Sequence, residues 1–222
     1  ASTTQQANKV VNLAKRKKRC LMVGFIERFN PGVQHVKEAA EKGEIGTLVS
    51  ATARRVSQWP ERIGDIGVVK DTAIHDIDVV RYLFAADPVA VYAKAGNLRH
   101  TRFEDYAHIM LTFSQGRTAF IESNWLTPYK VRSLIVTGSE AIMSLNYLTQ
   151  EIAIETKGQT LAPRLEWTEP LRKELQHFAD CVLTGKETVI SGVDGLKALQ
   201  IAEAALKSAK KGSVVRLGLK QD

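Results

Sequence analysis

The sequence predicts an α+β fold organised around a large, mostly antiparallel sheet. Between residues 88 and 156, short segments in which apolar and polar residues alternate follow one another, separated by turn signals. Consecutive strands with short joins pair in the antiparallel sense. Stretches with a helical period of about 3.6 residues stand before and after this region. Together these observations predict a β-rich centre flanked by helices.

Before the β-rich centre, the chain predicts two helices and two strands. Residues 2–18 have a Ser/Thr start and an apolar face, while residues 31–43 begin with proline and end with glycine. The apolar run 20–25 predicts a buried strand, and residues 48–56 predict another. We expect residues 1–26 to be the last helix and strand of an α/β sheet.

The β-rich centre and the tail complete the predicted order. Six strands are predicted, at residues 89–93, 107–113, 118–125, 131–137, 141–145 and 151–156. Helices follow at residues 169–183 and 191–210, and a short strand follows at residues 214–217. The first of these helices is predicted to bury Leu171, Leu175, Phe178, Ala179 and Val182.

The stretch 70–84 is the one most suggestive of chemistry, and a polar loop at residues 57–67 leads into it. Read as a helix, the stretch has two stripes. One stripe is apolar and should be buried: Ala73, Ile77, Val80 and Phe84. The opposite stripe is polar: Asp71, His75, Asp78 and Tyr82. A carboxylate one turn before an imidazole orients the ring and stabilises its cation, as a general acid/base histidine requires.

Two other interpretations of this polar stripe stand beside the catalytic one. It is also what a solvated helix face looks like, with Asp71 or Thr72 as the N-cap. A metal site is the third, although one carboxylate–histidine pair supplies few ligands.

Composition predicts a protein of the cytoplasm without membrane contact. The 222 residues are 44% hydrophobic and 25% charged, a balance typical of globular proteins. No apolar run approaches the ~20 residues that span a bilayer, and the first residues lack a signal-peptide pattern. Cys20 and Cys181 do not make a disulfide framework, which favours a reducing compartment.

The net charge of +7 is concentrated at one end of the chain. Residues 1–19 contain six basic residues and no acidic one, so the rest of the chain is close to neutral. The basic cluster 15–19 ends a predicted helix, where cations complement the helix dipole. Without interleaved aromatic residues it does not predict a nucleic-acid partner.

Several segments, in order and spacing, resemble landmarks of the glucose-fructose oxidoreductase / inositol dehydrogenase / MocA-like family. They cover nearly all of the chain: Phe25-Ile26-Glu27-Arg28-Phe29-Asn30-Pro31, Asp71-x-x-x-His75-x-x-Asp78, Glu104-Asp105-Tyr106-Ala107, Pro170-Leu171-Arg172-Lys173-Glu174-Leu175 and Ser191-Gly192-Val193-Asp194-Gly195-Leu196. The resemblance implies a Rossmann domain for NAD or NADP and a C-terminal α+β domain, whose open sheet face commonly makes a homo-oligomer interface.

The resemblance also implies roles for individual residues. It makes His75 the acid/base on a substrate hydroxyl and Asp71 the neighbour that orients it. Arg28 and Asn30 match the segment at the cleft between domains, where they would position substrate or cofactor. We also predict substrate contacts from Trp59 and Lys70. The segments 104–109 and 121–128 look most like the branch that acts on nucleotide sugars such as UDP-N-acetylglucosamine.

Two family features do not occur in these residues: the Gly-x-Gly-x-x-Gly phosphate turn and the Glu-Lys-Pro motif with its catalytic lysine. We therefore expect residues 1–26 to be the remainder of a Rossmann domain and residues 27–222 to be the substrate-binding and oligomerisation domain. That domain would need a cofactor domain in the same polypeptide or in another. The alternatives are a non-catalytic assembly module that docks a separate cofactor-binding subunit, and a metal-assisted sugar lyase or isomerase.

Overall fold

The computed structural model describes residues 1–61 and 65–218. Its α-helices are α1 (Thr4–Arg16), α2 (Pro31–Glu41), α3 (Ile74–Phe84), α4 (Pro170–Thr184) and α5 (Gly192–Lys211). Its strands are β1 (Leu48–Val56), β2 (Ala90–Gly96), β3 (Tyr106–Thr112), β4 (Thr118–Asn124), β5 (Val131–Gly138), β6 (Ala141–Asn146), β7 (Ile152–Thr156), β8 (Gln159–Leu161) and β9 (Val215–Arg216). The strand β8 was not predicted from the sequence.

The nine strands form one sheet in the order β8-β7-β6-β5-β1-β4-β3-β2-β9. Strand β1 lies in the middle, antiparallel to β5 and parallel to β4. Every other pair in the sheet is antiparallel. The predicted α+β fold with a large, mostly antiparallel sheet is therefore confirmed.

Helices cover one face of the sheet and leave the other open. On the covered face, alternate residues such as Ala53, Ile121 and Leu134 are fully or almost fully buried in the core. On the open face a row of side chains crosses the paired strands, and its members are Tyr92, Met110, Phe120, Thr52, Ile135 and Ser144. Phe120 and Ile135 are 46% and 42% exposed, so this face carries solvent-exposed apolar surface.

The predicted strand at residues 20–25 is wrong. Within the described residues this run forms a single bridge, between Met22 and Ser191, and no ladder. The carbonyl of Ile190 accepts one further hydrogen bond, from the amide of Val23. The run is apolar because Phe25 packs into the core and because Leu21 and Val23 contact the start of α5.

The predicted burial of the apolar stripe of α4 is also wrong, although the helix forms. The apolar face of α1 likewise contains no buried residue, and Val10 is 48% exposed. In α4 the predicted apolar stripe faces solvent, with Leu175 58% and Val182 55% exposed. The opposite side of α4 packs on the short 3₁₀ turn Ile26–Phe29, and it is there that Glu174 and Cys181 are buried.

Helix α3 confirms the predicted apolar stripe and corrects the polar one. Ala73, Ile77, Val80 and Phe84 are all buried. Asp78 is not on a solvated face but is fully buried. A π-helical turn, Val69–Ala73, precedes α3, a feature that often marks functional sites. Residues 62–64 of the predicted loop 57–67 lie outside the described residues.

Candidate active site

A cavity of about 390 Å³ opens at the N-terminal end of α3. Most of its wall is apolar and comes from α1, from the segment before the 3₁₀ turn and from α5. Three polar side chains line it together, namely Lys70, Asp71 and His75. The structure thus brings both predicted catalytic residues and one predicted substrate-binding residue to a single pocket.

The polypeptide is held where it enters the π turn. The carbonyl of Glu104 accepts a hydrogen bond from the amide of Val68 at 2.9 Å, and its side-chain Oε1 accepts one from the amide of Val69 at 3.2 Å. These are helix-start amides that lack partners inside the helix. A Cβ at position 67 would overlap the Glu104 carboxylate, so a larger residue there would require the Glu104 side chain to move.

His75 lies at the cavity wall as a neutral imidazole. Its Nδ1 is buried without a hydrogen-bond partner, and its ring meets the ring of Phe25 edge-on, with centroids 5.9 Å apart. Burial, followed by the positive charge of Arg55, lowers the pKa of His75 to about 4. The sequence predicted that Asp71 would favour the cationic ring; the buried ring is instead neutral at pH 7, the form that accepts a proton.

A buried ion triad lies behind His75. The Nε and Nη2 atoms of Arg55 donate to the two carboxylate oxygens of Asp76 at 2.9 and 3.0 Å, and its Nη1 donates to Glu27 at 2.9 Å. All three side chains are at most 6% exposed. Burial alone would lower the pKa of Arg55, but the two carboxylates raise it above its ordinary value, so the guanidinium stays charged.

The other predicted site residues either do not line this cavity or already make hydrogen bonds within the fold. Arg28 makes two hydrogen bonds to Asp78, at 2.8 and 2.6 Å, and another to Asp194 at 3.0 Å. The side-chain oxygen of Asn30 caps α2 through Gly32, and its amide donates to the carbonyl of Tyr147. Both side chains therefore make hydrogen bonds inside the fold. The contacts of Arg28 and Asn30 with substrate or cofactor remain a prediction.

Trp59 and Lys70 are more accessible. The ring of Trp59 lies between His100 and Trp125, with centroids 5.8 and 5.9 Å away, beside a second surface cavity. The Nζ of Lys70 donates to the carbonyl of Ser2 at 2.6 Å and pairs with Glu203 at 3.3 Å. Lys70 therefore links the start of α1 to α5 while lining the cavity of His75.

Sequence reasoning missed the residues that support the pocket from behind. Arg55 is an arginine on a predicted strand, and only the buried alternation of β1 signals that it points inward. Asp76 directly follows the catalytic candidate and falls on neither predicted stripe. The sequence indicates Thr72 only as an N-cap and Trp125 only as part of the segment 121–128, and neither pattern predicts the hydrogen bond between them near Asp71.

No group of three or more His, Cys, Asp or Glu side chains in residues 1–61 and 65–218 is placed to hold a metal ion. Over the same residues, no helix has the length and apolar character to cross a membrane. The two cysteines, Cys20 and Cys181, are free thiols.

The neutral state of His75 predicts a pH dependence of stability. Its folded pKa of about 4 lies below its ordinary value of 6.5, so the unfolded chain binds more protons between these values. Stability should therefore fall as the pH drops from 6.5 towards 4, by up to about 3 kcal/mol. Urea unfolding of the wild type and of His75→Gln from pH 7 to pH 4 measures this. We expect the wild type to lose more stability than the variant; equal losses would contradict the assignment.

Comparison with known proteins identifies the fold and the family. The model of the GFO/IDH/MocA C-terminal domain matches residues 33–144. Inositol 2-dehydrogenase of Rhizobium meliloti (strain 1021) is 33% identical in an alignment 219 residues long that covers 90% of this chain and 65% of that protein. The uncharacterized oxidoreductase YrbE of Bacillus subtilis (strain 168) is 32% identical in an alignment 216 residues long that covers 89% of this chain and 63% of that protein.

A solved structure has the same architecture. UDP-N-acetylglucosamine 3-dehydrogenase GnnA from Acidithiobacillus ferrooxidans superposes with a TM-score of 0.85 at 22% identity, over 94% of this chain and 68% of that one. This chain spans a little under two thirds of the length of the curated relatives given above. Since the family model covers just over half of the chain, the chain belongs to the GFO/IDH/MocA family.

Proposed function

We propose that this chain supplies the substrate side of an NAD(P)-dependent dehydrogenase that oxidises a hydroxyl group of a sugar, cyclic polyol or nucleotide sugar. The observation that carries the proposal is the neutral His75, with its unpartnered Nδ1, in a cavity shared with Asp71 and Lys70. The relatives support the class of reaction, because one is named as an inositol 2-dehydrogenase. The site and the substrate remain our inference.

The described residues fit one end of the cofactor. An apolar wall beside a polar cluster suits a flat nicotinamide ring stacked against a substrate. Cofactor pockets generally combine an apolar lining with a few polar groups in this way. The sequence contains no Gly-x-Gly-x-x-Gly turn for the phosphates. We propose that a dinucleotide-binding domain, in the same polypeptide or in another, holds that end. Bound there, a nicotinamide cofactor in its oxidised form would supply the acceptor for the hydride of the carbinol carbon.

The chain's own residues manage the proton and the orientation. As the carbinol carbon becomes a carbonyl, the neutral His75 accepts the hydroxyl proton as a general base. Asp71 orients the reacting hydroxyl of the substrate relative to the imidazole of His75. Lys70 contacts a neighbouring oxygen of the substrate. Holding the reacting groups in register is the main catalytic contribution of such a site.

A substrate panel tests this function. The complete native protein is incubated with NAD⁺ or NADP⁺ and, in turn, myo-inositol, scyllo-inositol, D-xylose and UDP-N-acetylglucosamine, while nicotinamide absorbance is followed. We expect reduction of the cofactor with at least one of them. Absence of turnover with all four, in a stable homo-oligomer that binds no NADH, would favour the assembly-module alternative. Titrating NADH into the 222-residue chain alone shows whether a separate cofactor domain is needed.

We also propose that the chain forms a homo-oligomer through the open sheet face and acts in the cytoplasm. The apolar row across β4, β1 and β5, with Phe120 and Ile135 exposed, supports the interface. Ile135→Glu should shift the sedimentation coefficient towards that of a single chain, because it places a charge in that interface. Leu98→Glu, at a 79% exposed position off the sheet, is the control and should leave assembly unchanged. An unaltered assembly in Ile135→Glu would rule out this face.

A further inference from the structure

Trp125 connects the end of β4 to the π turn that carries Asp71. Its side chain is 2% exposed, and its backbone amide donates to the carbonyl of Asp105 at 3.0 Å, which fixes its position. The indole Nε1 donates a hydrogen bond to Oγ1 of Thr72 at 3.1 Å. The edge of its ring packs against Trp59, with an interplanar angle of 82°.

The direction of the hydrogen bonds is fixed by chemistry. An indole N–H only donates, so the hydroxyl of Thr72 must be the acceptor towards Trp125. A hydroxyl has one proton, and the donation from Trp125 leaves that proton free for another acceptor. Oδ2 of Asp71 lies 3.1 Å from Oγ1 of Thr72 and is that acceptor. The chain of donation therefore runs from Trp125 through Thr72 to Asp71.

We propose that Trp125 and Thr72 are positioning residues that set the orientation of the Asp71 carboxylate in the candidate active site. This inference rests on the proposed function, because it gives Asp71 its role there. The buried indole anchors one end of the chain of hydrogen bonds, and each donor has a single arrangement that satisfies it. Asp71 thereby keeps one rotamer, with Oδ2 turned towards Thr72.

A purely structural role would leave catalysis untouched. In that case Thr72 would serve only to satisfy the buried indole N–H, and replacing it would cost stability alone. A positioning role predicts a loss in kcat with little change in KM. A carboxylate without a fixed orientation lowers the fraction of enzyme–substrate complexes that have a productive geometry. A positioning role also predicts that replacing Thr72 lowers kcat only when Asp71 is present.

The test uses Thr72→Val, Thr72→Ser, Trp125→Phe and Asp71→Asn in the complete native protein, with the best substrate of the panel. We expect Thr72→Val to lower kcat roughly 10- to 100-fold with KM changed less than about threefold. Thr72→Ser keeps the hydroxyl and should stay within about threefold of the wild type. In the Asp71→Asn background, adding Thr72→Val should cost less than about twofold more, since residues that act as a unit are non-additive.

Two results would overturn the inference. One is a Thr72→Val variant with the turnover of an active wild type. The other is a loss of the same size with and without Asp71. If the wild type turns over no substrate, the proposed function fails separately. Thermal unfolding then tests the hydrogen bond between Trp125 and Thr72, on which the inference depends. The shift of the unfolding midpoint in the Trp125→Phe/Thr72→Val double variant should match that of the larger single variant, and additive shifts would overturn the inference.

Discussion

Replacing His75 with alanine in the complete native protein should lower kcat by about 10²- to 10⁴-fold, the range usual for loss of a general acid/base. His75 lines the candidate cavity and is the histidine with an unpartnered Nδ1 there. Because burial keeps its pKa near 4, the wild-type rate should not fall as the pH drops from 8 to 6 on account of this residue. Initial-rate kinetics over that pH range measure both effects.

The matched control is His108→Ala. His108 is exposed on the open sheet face, away from the cavity. It lies beside its cross-strand partners, Lys94 on β2 and Glu122 on β4. It should leave turnover within about twofold of the wild type, as surface substitutions usually do. Circular dichroism and the oligomer mass must match for both variants. Near-normal turnover in His75→Ala, with the fold intact, would remove His75 from the mechanism.

Replacing Arg55 with methionine should destabilise the protein by about 3 to 5 kcal/mol. The change removes the central cation from a buried triad and leaves the carboxylates of Glu27 and Asp76 with a more distant cation, Arg132, which lies 3.8 Å from Glu27. Both carboxylates are nearly inaccessible to water, at 6% and 0% exposure, so solvent cannot screen them. Urea unfolding followed by fluorescence gives the free energy of unfolding.

The neighbouring arginine provides a matched control. Arg54 lies on the open face of the same strand and pairs with Glu122 at 2.9 Å, with side chains 47% and 31% exposed. Arg54→Met should therefore cost only about 0 to 1 kcal/mol. If the two variants are equally stable, the triad does not act as a buried unit.

The sheet could be predicted because its signals are local. Strands β2, β3, β4 and β6 alternate buried and more exposed residues, so the period of two appears in the sequence itself. Helix α3 was predictable for the same reason, since Ala73, Ile77, Val80 and Phe84 repeat at helical spacing. His75 and Asp71 reach a common cavity because both lie near the start of that helix.

What the sequence did not reveal depends on tertiary contacts. Arg55 and Asp76 are charged, and periodicity places charges on the surface unless a buried partner is known. Asp78 was misassigned for this reason, because its partner Arg28 lies fifty positions earlier in the chain. The exposed apolar stripe of α4 is the opposite case. An apolar pattern predicts that a helix face is covered, but it does not identify the surface that covers it.

The central claim is that His75 contacts the hydroxyl group that reacts. A crystal structure of the complete native protein with NADH and its best substrate tests this most directly. We predict a substrate hydroxyl within hydrogen-bond distance of the His75 imidazole, in the cavity lined by Lys70 and Asp71. A substrate bound elsewhere, for instance against Arg28 and Asp194 at the far end of α3, with His75 touching no ligand atom, would contradict the account.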